Sequence, residues 1–231
     1  MSRTLHSIAA LACAVSCHTV QAGRSSLTGA SDVAQVGDCE AETALARIRP
    51  RGEASQRDTS LRLACGIGWD TEVEATAARQ RSGDGRSQTL ALEAKTTLSE
   101  RGDGRIGWAL AVGVGAARSS GSTWRRNEHS VAVEATVRLG PTWLVEAKLG
   151  ALRDRLVRRD SLLWAAAVEH ALSDLLEVRA EVEGDDRGRP LASLAMKYTV
   201  WPDHLKLKLA YGARSGPQAE RRANLGLQYE F

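Results

Sequence analysis

The sequence predicts an all-β protein, a transmembrane antiparallel up-and-down β-barrel of about ten strands. Three observations predict this fold. Segments of roughly ten residues alternate between apolar and polar side chains, long and short links alternate between them, and aromatic residues recur near the segment ends. No apolar run reaches the 18 or so residues of a membrane-spanning helix, which excludes a helical membrane protein but not a barrel.

The first 22 residues have the features of a secretory signal peptide. Arg3 supplies a positive charge, residues 8–17 are apolar, and Val20-Gln21-Ala22 offers a small-residue cleavage site. A buried core segment is the alternative interpretation of the same apolar stretch. We therefore expect residues 1–22 to direct the chain out of the cytoplasm.

Residues 23–59 are polar and have no sustained periodicity, apart from a short helix-like stretch at Asp38–Arg49. They are predicted to form an N-terminal periplasmic segment in front of a barrel at residues 60–231. Cys39 and Cys65 are the cysteines that remain after export, so they are a candidate disulfide in an oxidising compartment. Two unpaired thiols are the alternative.

Strict alternation begins at residue 60 and predicts ten strands. We treat residues 61–80 as one strand, because splitting them would give an odd count unless the N-terminal segment added another. Residues 162–183 also suit a helix through their Ala, Leu and Glu content, which is the alternative there. The predicted strands are 61–77, 90–98, 106–116, 131–139, 142–151, 161–170, 175–183, 191–200, 204–213 and 222–231.

The links between these strands are predicted to be long on the extracellular side and short on the periplasmic side. The predicted long links are 81–87, 118–129, 153–160, 184–190 and 214–221. The outward face should carry aromatic belts at the two membrane surfaces. Its aromatic residues are Trp69, Trp108, Trp143, Tyr229 and Phe231 near the periplasm, Tyr198 slightly deeper, and Trp164 and Tyr211 near the opposite rim. A soluble periplasmic β-sandwich is the alternative.

These features together resemble the outer-membrane β-barrel proteins of Gram-negative bacteria. The stretches LACGIGWDTEVEATAARQR and EGDDRGRP are also similar to those of small uncharacterised proteobacterial barrels. The resemblance implies location in the bacterial outer membrane, contact with the lipid bilayer, and insertion by the barrel assembly machinery. In that class a terminal strand ending in an aromatic residue is similar to the assembly signal, which assigns this role to Tyr229 and Phe231.

The predicted register places charged side chains of both signs in the lumen. Adjacent-strand geometry predicts the ion pairs Glu72–Lys95, Glu134–Lys148 and Glu177–Lys197. One interpretation is a satisfied network that fills and stiffens the lumen. The other is an acidic lumen that favours small cations, since eleven acids face seven bases in this register.

Arginines cluster in the predicted extracellular links, with no lysine among them. Their planar guanidinium groups pair bidentately with phosphate, so lipopolysaccharide is the predicted partner. A solvated rim is the alternative. The residues predicted to make this contact are Arg125, Arg126, Arg155, Arg158, Arg159, Arg187 and Arg189.

Neither catalysis nor a cofactor is predicted, because no cysteine or histidine lies at metal-ligand spacing and there is no G-x-S-x-G motif. An enzyme would need a His–carboxylate or Ser–His pair at the outer rim, where only His129 is available. The balance of 31 basic against 28 acidic residues does not favour nucleic-acid binding. The predicted function is a non-enzymatic, structural or lipopolysaccharide-contacting barrel with a largely filled lumen; a narrow porin-like channel for small solutes or cations is the alternative.

Overall fold

The computed structural model describes residues 33–231, except residues 84, 101–103, 157, 203 and 218. The predicted signal peptide at residues 1–22 lies outside the described residues. No helix within the described ranges is long and apolar enough to cross a membrane. The strands are β1 (Cys39–Pro50), β2 (Gln56–Gly68), β3 (Thr71–Ser82), β4 (Gly85–Ser99), β5 (Ile106–Ser119), β6 (Arg125–Leu139), β7 (Trp143–Asp154), β8 (Arg159–Ser173), β9 (Leu176–Asp185), β10 (Leu191–Trp201), β11 (Leu205–Arg214) and β12 (Glu220–Glu230).

The strands form one closed barrel in which each strand pairs with its neighbours in sequence and β12 pairs with β1. The closing ladder is antiparallel and runs from Glu40 opposite Glu230 to Pro50 opposite Glu220. Beyond it, Cys39 and Phe231 exchange both backbone hydrogen bonds at 2.9 Å. The predicted antiparallel up-and-down barrel is confirmed, but with twelve strands where about ten were expected.

The first of the two strands that the sequence did not predict is β1, which occupies the stretch predicted to be helix-like and periplasmic. Its even residues face the lumen, with Glu42 and Ala44 buried, while the odd residues Thr43 and Leu45 are exposed. Alanine lies on both faces, which weakens the alternation and raises helix propensity. Pairing with two neighbouring strands overrides that propensity, so the barrel begins at Cys39 and not at residue 60.

The second strand that the sequence did not predict comes from residues 61–80, which form parts of both β2 and β3 and not a single strand. Trp69 and Asp70 make the two-residue turn between them, with φ of 52° and 50°. Positive φ at both positions is typical of the type I′ turns that join hairpins, which usually contain Asn-Gly or Asp-Gly. Trp-Asp lacks that signature. A two-residue turn alone would exchange the faces of odd and even residues, but the register shift between Gly66 and Gly68 restores them, so the alternation continues through the hairpin unbroken.

Two other expectations are also corrected by the strand pattern. The helical alternative for residues 162–183 is wrong, because β8 and β9 cover this stretch with a short turn. The links predicted to be long are shorter than expected, for example residues 83–84 and 155–158, since the strands continue into polar sequence at that end. Many of the arginines assigned to loops therefore lie on strands.

The two faces of the barrel are chemically inverted relative to a soluble core. Large apolar side chains point outward and are exposed, as at Leu61 (57%), Leu149 (55%) and Leu194 (63%). Buried positions inside the barrel include the carboxylates of Glu134 and Glu146. This pattern excludes the predicted alternative of a soluble sandwich, whose apolar faces would be buried against each other.

The strained turn at Trp69-Asp70 yields a prediction about stability. Replacing Asp70 with Gly should raise the free energy of unfolding by roughly 0.5–1 kcal/mol, because Gly adopts positive φ without a steric penalty. Urea titration of the refolded protein, followed by tryptophan fluorescence, measures the change. The matched variant Gly68→Ala should lower stability, since Gly68 has φ of 99°. A destabilised Asp70→Gly protein would contradict this account of the turn.

Candidate functional site

The candidate functional surface is the wall of the lumen, where the even residues of β1 to β3 and their counterparts on the other strands meet. All three ion pairs expected from the sequence are present there. Lys148 Nζ lies 2.7 Å from Glu134 Oε1, and Lys197 Nζ lies 2.5 Å from Glu177 Oε2. Lys95 Nζ lies 3.7 Å from Glu72 Oε1, which is the longest of the three. Each pair joins neighbouring strands at directly opposite positions.

Arg62 on β2 is the centre of the first charged cluster, which sequence reasoning missed. Its guanidinium forms ion pairs with Glu40 and Glu42 on β1 and with Glu74 on β3, the last at 2.7 Å. Lys208 on β11 joins the same cluster through a 2.8 Å bond to Glu42. Two of these carboxylates belong to the strand that the sequence did not predict, so their role could not be predicted either.

Arg179 on β9 is the centre of a second cluster on a different part of the wall. Its guanidinium contacts Glu146, Glu169 and Glu181, and Lys197 approaches Glu169 at 4.0 Å. Glu146 lies on β7, so this ion pair passes over β8, whose facing residue is the small Ala167. Sequence pairing rules consider directly adjacent strands, and for that reason they did not reveal this contact.

Neither cluster crosses the lumen. The ion pairs of Arg62, Arg179, Lys95, Lys148, Lys197, Lys206, Lys208 and Arg214 lie within one strand or join strands that are neighbours or next but one around the barrel. Several of the charged side chains remain partly accessible, including Lys197 and Glu177 at 28% and Arg62 at 24%. The charges therefore line the wall and are accessible from the space inside it.

A strip of small residues separates the two clusters. On β5 the lumen-facing residues are glycines and alanines, and Ala109 and Ala111 are almost completely buried. A cavity of about 120 Å³ lies against this side of the lumen, which is room for several water molecules. Its polar lining includes Glu74, Thr76, Glu93, Glu128, Ser130 and Lys148.

Residues 33–38 lie at the mouth of the lumen on the side of the chain termini. The Ala34 amide donates a 3.0 Å hydrogen bond to the carboxylate of Glu72, which faces the lumen. A Cβ atom at Gly66 would overlap the carbonyl oxygens of Ala34 and Gln35. Glycine is therefore required at this position for the segment to pass over β2.

The lumen wall is more acidic in the structure than the sequence predicted. The acidic side chains on lumen-facing strand positions are Glu40, Glu42, Asp58, Glu72, Glu74, Glu93, Glu128, Glu134, Glu146, Asp154, Glu169, Glu177, Glu181, Glu183, Asp185, Glu220 and Glu230. The basic ones are Arg62, Lys95, Arg125, Arg138, Lys148, Arg159, Arg179, Lys197, Lys206, Lys208, Arg214 and Arg222. Among the described strand residues, seventeen acids therefore face twelve bases, an excess of five where the sequence-based register gave four.

The seven arginines predicted to contact lipopolysaccharide all lie at the barrel end remote from the termini, and all are exposed. Arg125, Arg126 and Arg159 are on strand ends, whereas the others are in the turns after β7 and β9. Arg187 donates a 2.9 Å hydrogen bond to the Asp160 carbonyl and lies 3.5 Å from Asp186. Contact of these residues with lipopolysaccharide stays a prediction.

His129, the residue that an outer-rim catalytic pair would need, lies on β6 directly opposite Arg153. Its Nε2 atom has no hydrogen-bond partner among the described residues. Within the same part of the chain, no three His, Cys, Asp or Glu side chains are arranged to hold a metal ion.

The other end of the barrel carries an aromatic cluster around the C-terminus. Tyr229 stacks on Phe231 with ring centroids 5.9 Å apart, and His204 packs between Tyr229 and Trp201. Phe231 is 59% exposed on the outward face. Cys39, its backbone partner, is joined to Cys65 on β2 by a disulfide.

The chain belongs to the family described as Uncharacterised conserved protein UCP029691, whose model matches residues 10–201. Comparison with curated proteins gives no significant match. Solved structures of outer-membrane barrels do match, and the resemblance to Gram-negative outer-membrane β-barrels that the sequence indicated is confirmed.

Three of these structures are those of a porin, a channel and a phospholipase. The KdgM porin in complex with disordered oligogalacturonate has a TM-score of 0.63 at 11% identity, covering 82% of this chain and 99% of the porin. The COG4313 outer membrane channel from Pseudomonas putida F1 has a TM-score of 0.64 at 13% identity, covering 88% and 98%. Outer membrane phospholipase A from Escherichia coli has a TM-score of 0.52 at 13% identity, covering 81% and 89%. At these identities the likeness shows the fold alone.

The position of Phe231 yields a prediction about assembly. Deleting Phe231 should reduce the yield of folded barrel in the outer membrane far more than it changes any activity of the barrels that do form. The deletion removes both an exposed aromatic anchor and the two backbone hydrogen bonds with Cys39. Heat-modifiable gel mobility of membrane fractions measures the folded fraction.

The matched variant Phe231→Tyr keeps the ring and the backbone, and it should assemble normally. Folded yield equal to wild type after deletion would contradict an assembly role for this residue.

Proposed function

We propose that the protein is a narrow channel in the outer membrane of a Gram-negative bacterium, with a lumen that favours small cations over anions. The observation that carries this proposal is the arrangement of the lumenal ion pairs, which run around the wall and do not bridge it. Charges paired along the wall are compatible with a polar path along the barrel axis, whereas ion pairs across the lumen would obstruct such a path.

The strand count supports the same choice. A barrel of eight strands is filled by its own side chains, and barrels of sixteen or more leave a wide aqueous channel. With twelve strands, this barrel lies between those limits and is wider than the ten-stranded one on which the expectation of a filled lumen rested. That larger circumference favours the channel over a purely structural barrel.

The outer face supports the membrane location. Exposed leucines and valines form its middle, and exposed aromatic residues, including Trp108, Trp143 and Tyr229, lie towards the end that carries the termini. An apolar band bordered by aromatic rings is typical of outer-membrane barrels. The porin and channel among the similar structures are consistent with conduction.

The proposed ion preference follows from the excess of lumenal carboxylates. Acidic rings favour cations in channels, because they offset the loss of ion hydration and repel anions. The carboxylates around the cavity are Glu74, Glu93 and Glu128, and they lie beside the small-residue strip where the lumen is open.

Conduction is tested by recording from the refolded protein in planar bilayers. We expect discrete conductance steps, and we expect Ala210→Phe to lower the step size by roughly half or more, because a ring at this lumen-facing position narrows the path. The matched control is Ala213→Phe, on the outward face of the same strand, which should leave the step unchanged. A folded wild-type protein without conductance steps would refute the channel.

Ion preference is tested by reversal potentials across a potassium chloride gradient. The wild-type protein should select potassium over chloride, and the double variant Glu93→Gln, Glu128→Gln should lose much of that selectivity. These substitutions remove lumenal charge and keep side-chain length and hydrogen-bonding capacity. The control Asp160→Asn removes an exposed carboxylate at the outer rim, and unchanged selectivity is expected there. Equal selectivity in the double variant and wild type would refute the lumenal origin of the preference.

A further inference from the structure

Four arginines stand directly opposite one another across adjacent strands on the outer face. The ladders place Arg47 of β1 opposite Arg57 of β2, Arg57 opposite Arg81 of β3, and Arg81 opposite Arg86 of β4. All four side chains are exposed. We call Arg47, Arg57, Arg81 and Arg86 the arginine row.

Further arginines lie beside the row on the same face. On β12, Arg221 is the direct partner of Arg49, which lies two residues beyond Arg47 on β1. Arg79 lies two residues before Arg81 on β3. The outer rim thus carries basic side chains from β12 to β4 without interruption.

The arginine row is distinguished by the direct opposition of its members, and three basic residues elsewhere at this end of the barrel lie close to carboxylates. Arg153 lies 3.8 Å from Asp160, Arg187 lies 3.5 Å from Asp186, and Arg214 lies 3.9 Å from Glu220. No ion pair with a carboxylate joins any member of the row among the described residues. Across the ladders its members face one another, and Arg47 also faces the small Ala223 of β12.

Such a row is electrostatically unfavourable in the isolated protein. Directly opposite residues have Cβ atoms about 4.5–5.5 Å apart, and like charges at that distance destabilise the sheet. Adjacent strands are about 4.8 Å apart, so the row spans roughly 14 Å around the barrel. An anion with several negative groups over that distance would remove the repulsion, and phosphate matches the planar guanidinium fork.

The surface next to the row is apolar. Towards the middle of the barrel, the outward positions of the same strands hold Leu45, Leu61 and Leu90, which are 56%, 57% and 49% exposed. Leu63 and Leu92 continue this surface at 43% and 54% exposure. A ligand that fits both zones has phosphate groups joined to several acyl chains.

We propose that the arginine row and the leucines beside it form a docking surface for lipopolysaccharide, with the guanidinium groups on its phosphates and the leucines on its acyl chains. The site is separate from the lumen, and it stands whether or not the barrel conducts. It also differs from the set of arginines indicated by the sequence, most of which lie on the opposite half of the rim.

The first experiment measures binding of detergent-solubilised lipopolysaccharide to the refolded protein. The double variant Arg57→Gln, Arg81→Gln should bind at least about tenfold more weakly, because two charge-assisted phosphate contacts are lost. The control Arg153→Gln, Arg214→Gln also removes two arginines at this end of the barrel, both close to carboxylates, and should bind within about twofold of wild type. Enzymatically dephosphorylated lipopolysaccharide should bind the wild type as weakly as intact lipopolysaccharide binds the row variant.

The second experiment separates ligand binding from general damage to the fold. Without lipopolysaccharide, the row variant should melt at a higher temperature than wild type, by roughly 2–4 °C, since repulsion is relieved. Saturating lipopolysaccharide should reverse that order. Equal affinity of the row variant and wild type, or of phosphatidylglycerol vesicles and lipopolysaccharide, would overturn the proposal, as would a row variant that melts below wild type without ligand.

Discussion

Closure of the β1–β12 seam is the constraint on which the rest of the structure depends. Cys39 lies at the closing point, where its backbone exchanges hydrogen bonds with Phe231 and its side chain is bonded to Cys65. An open seam in an apolar surrounding would leave a row of N–H and C=O groups unsatisfied, at several kcal/mol each. Once the seam is closed, every strand has two partners and every side chain has only two directions available.

Because each strand side chain points either into the lumen or out of the barrel, the interior is organised differently from that of a soluble protein. A soluble core packs apolar side chains against each other, whereas this lumen holds charges that must find partners along the wall. Small residues make this feasible, because they let long side chains pass over an intervening strand. Ala167 lies beneath the Arg179–Glu146 contact, and Gly226 lies beneath the reach of Lys208 towards Glu42. The resulting belts of charge run along the wall of the lumen.

The alternation of side chains between the two faces of a strand explains which features the sequence could predict. Successive side chains of an extended strand point to opposite faces, so the alternation alone was enough to place Glu134 and Lys148 on one face. The strand count could not be obtained in this way. The alternation continues across the Trp69-Asp70 turn because the register shift at Gly66 and Gly68 offsets the turn, and the alanines of β1 hide the alternation of that strand; both errors together kept the count even. Contacts that pass over a strand, such as Arg179 with Glu146, depend on the neighbouring strand and leave no local signal.

The alternation of side chains between the two faces also separates acidic from basic residues over very short distances in the chain. Glu74 faces the lumen and Arg79 the exterior only five residues later, so a slip of one residue would exchange the two surfaces. Correct register therefore creates an acidic lumen and a basic outer rim at the same time. The lumenal acids have bases beside them, but no carboxylate in the described part of the chain forms an ion pair with the arginine row. If an anionic group from outside the chain binds the row, as we propose, the stability of the barrel will depend on its anionic surroundings.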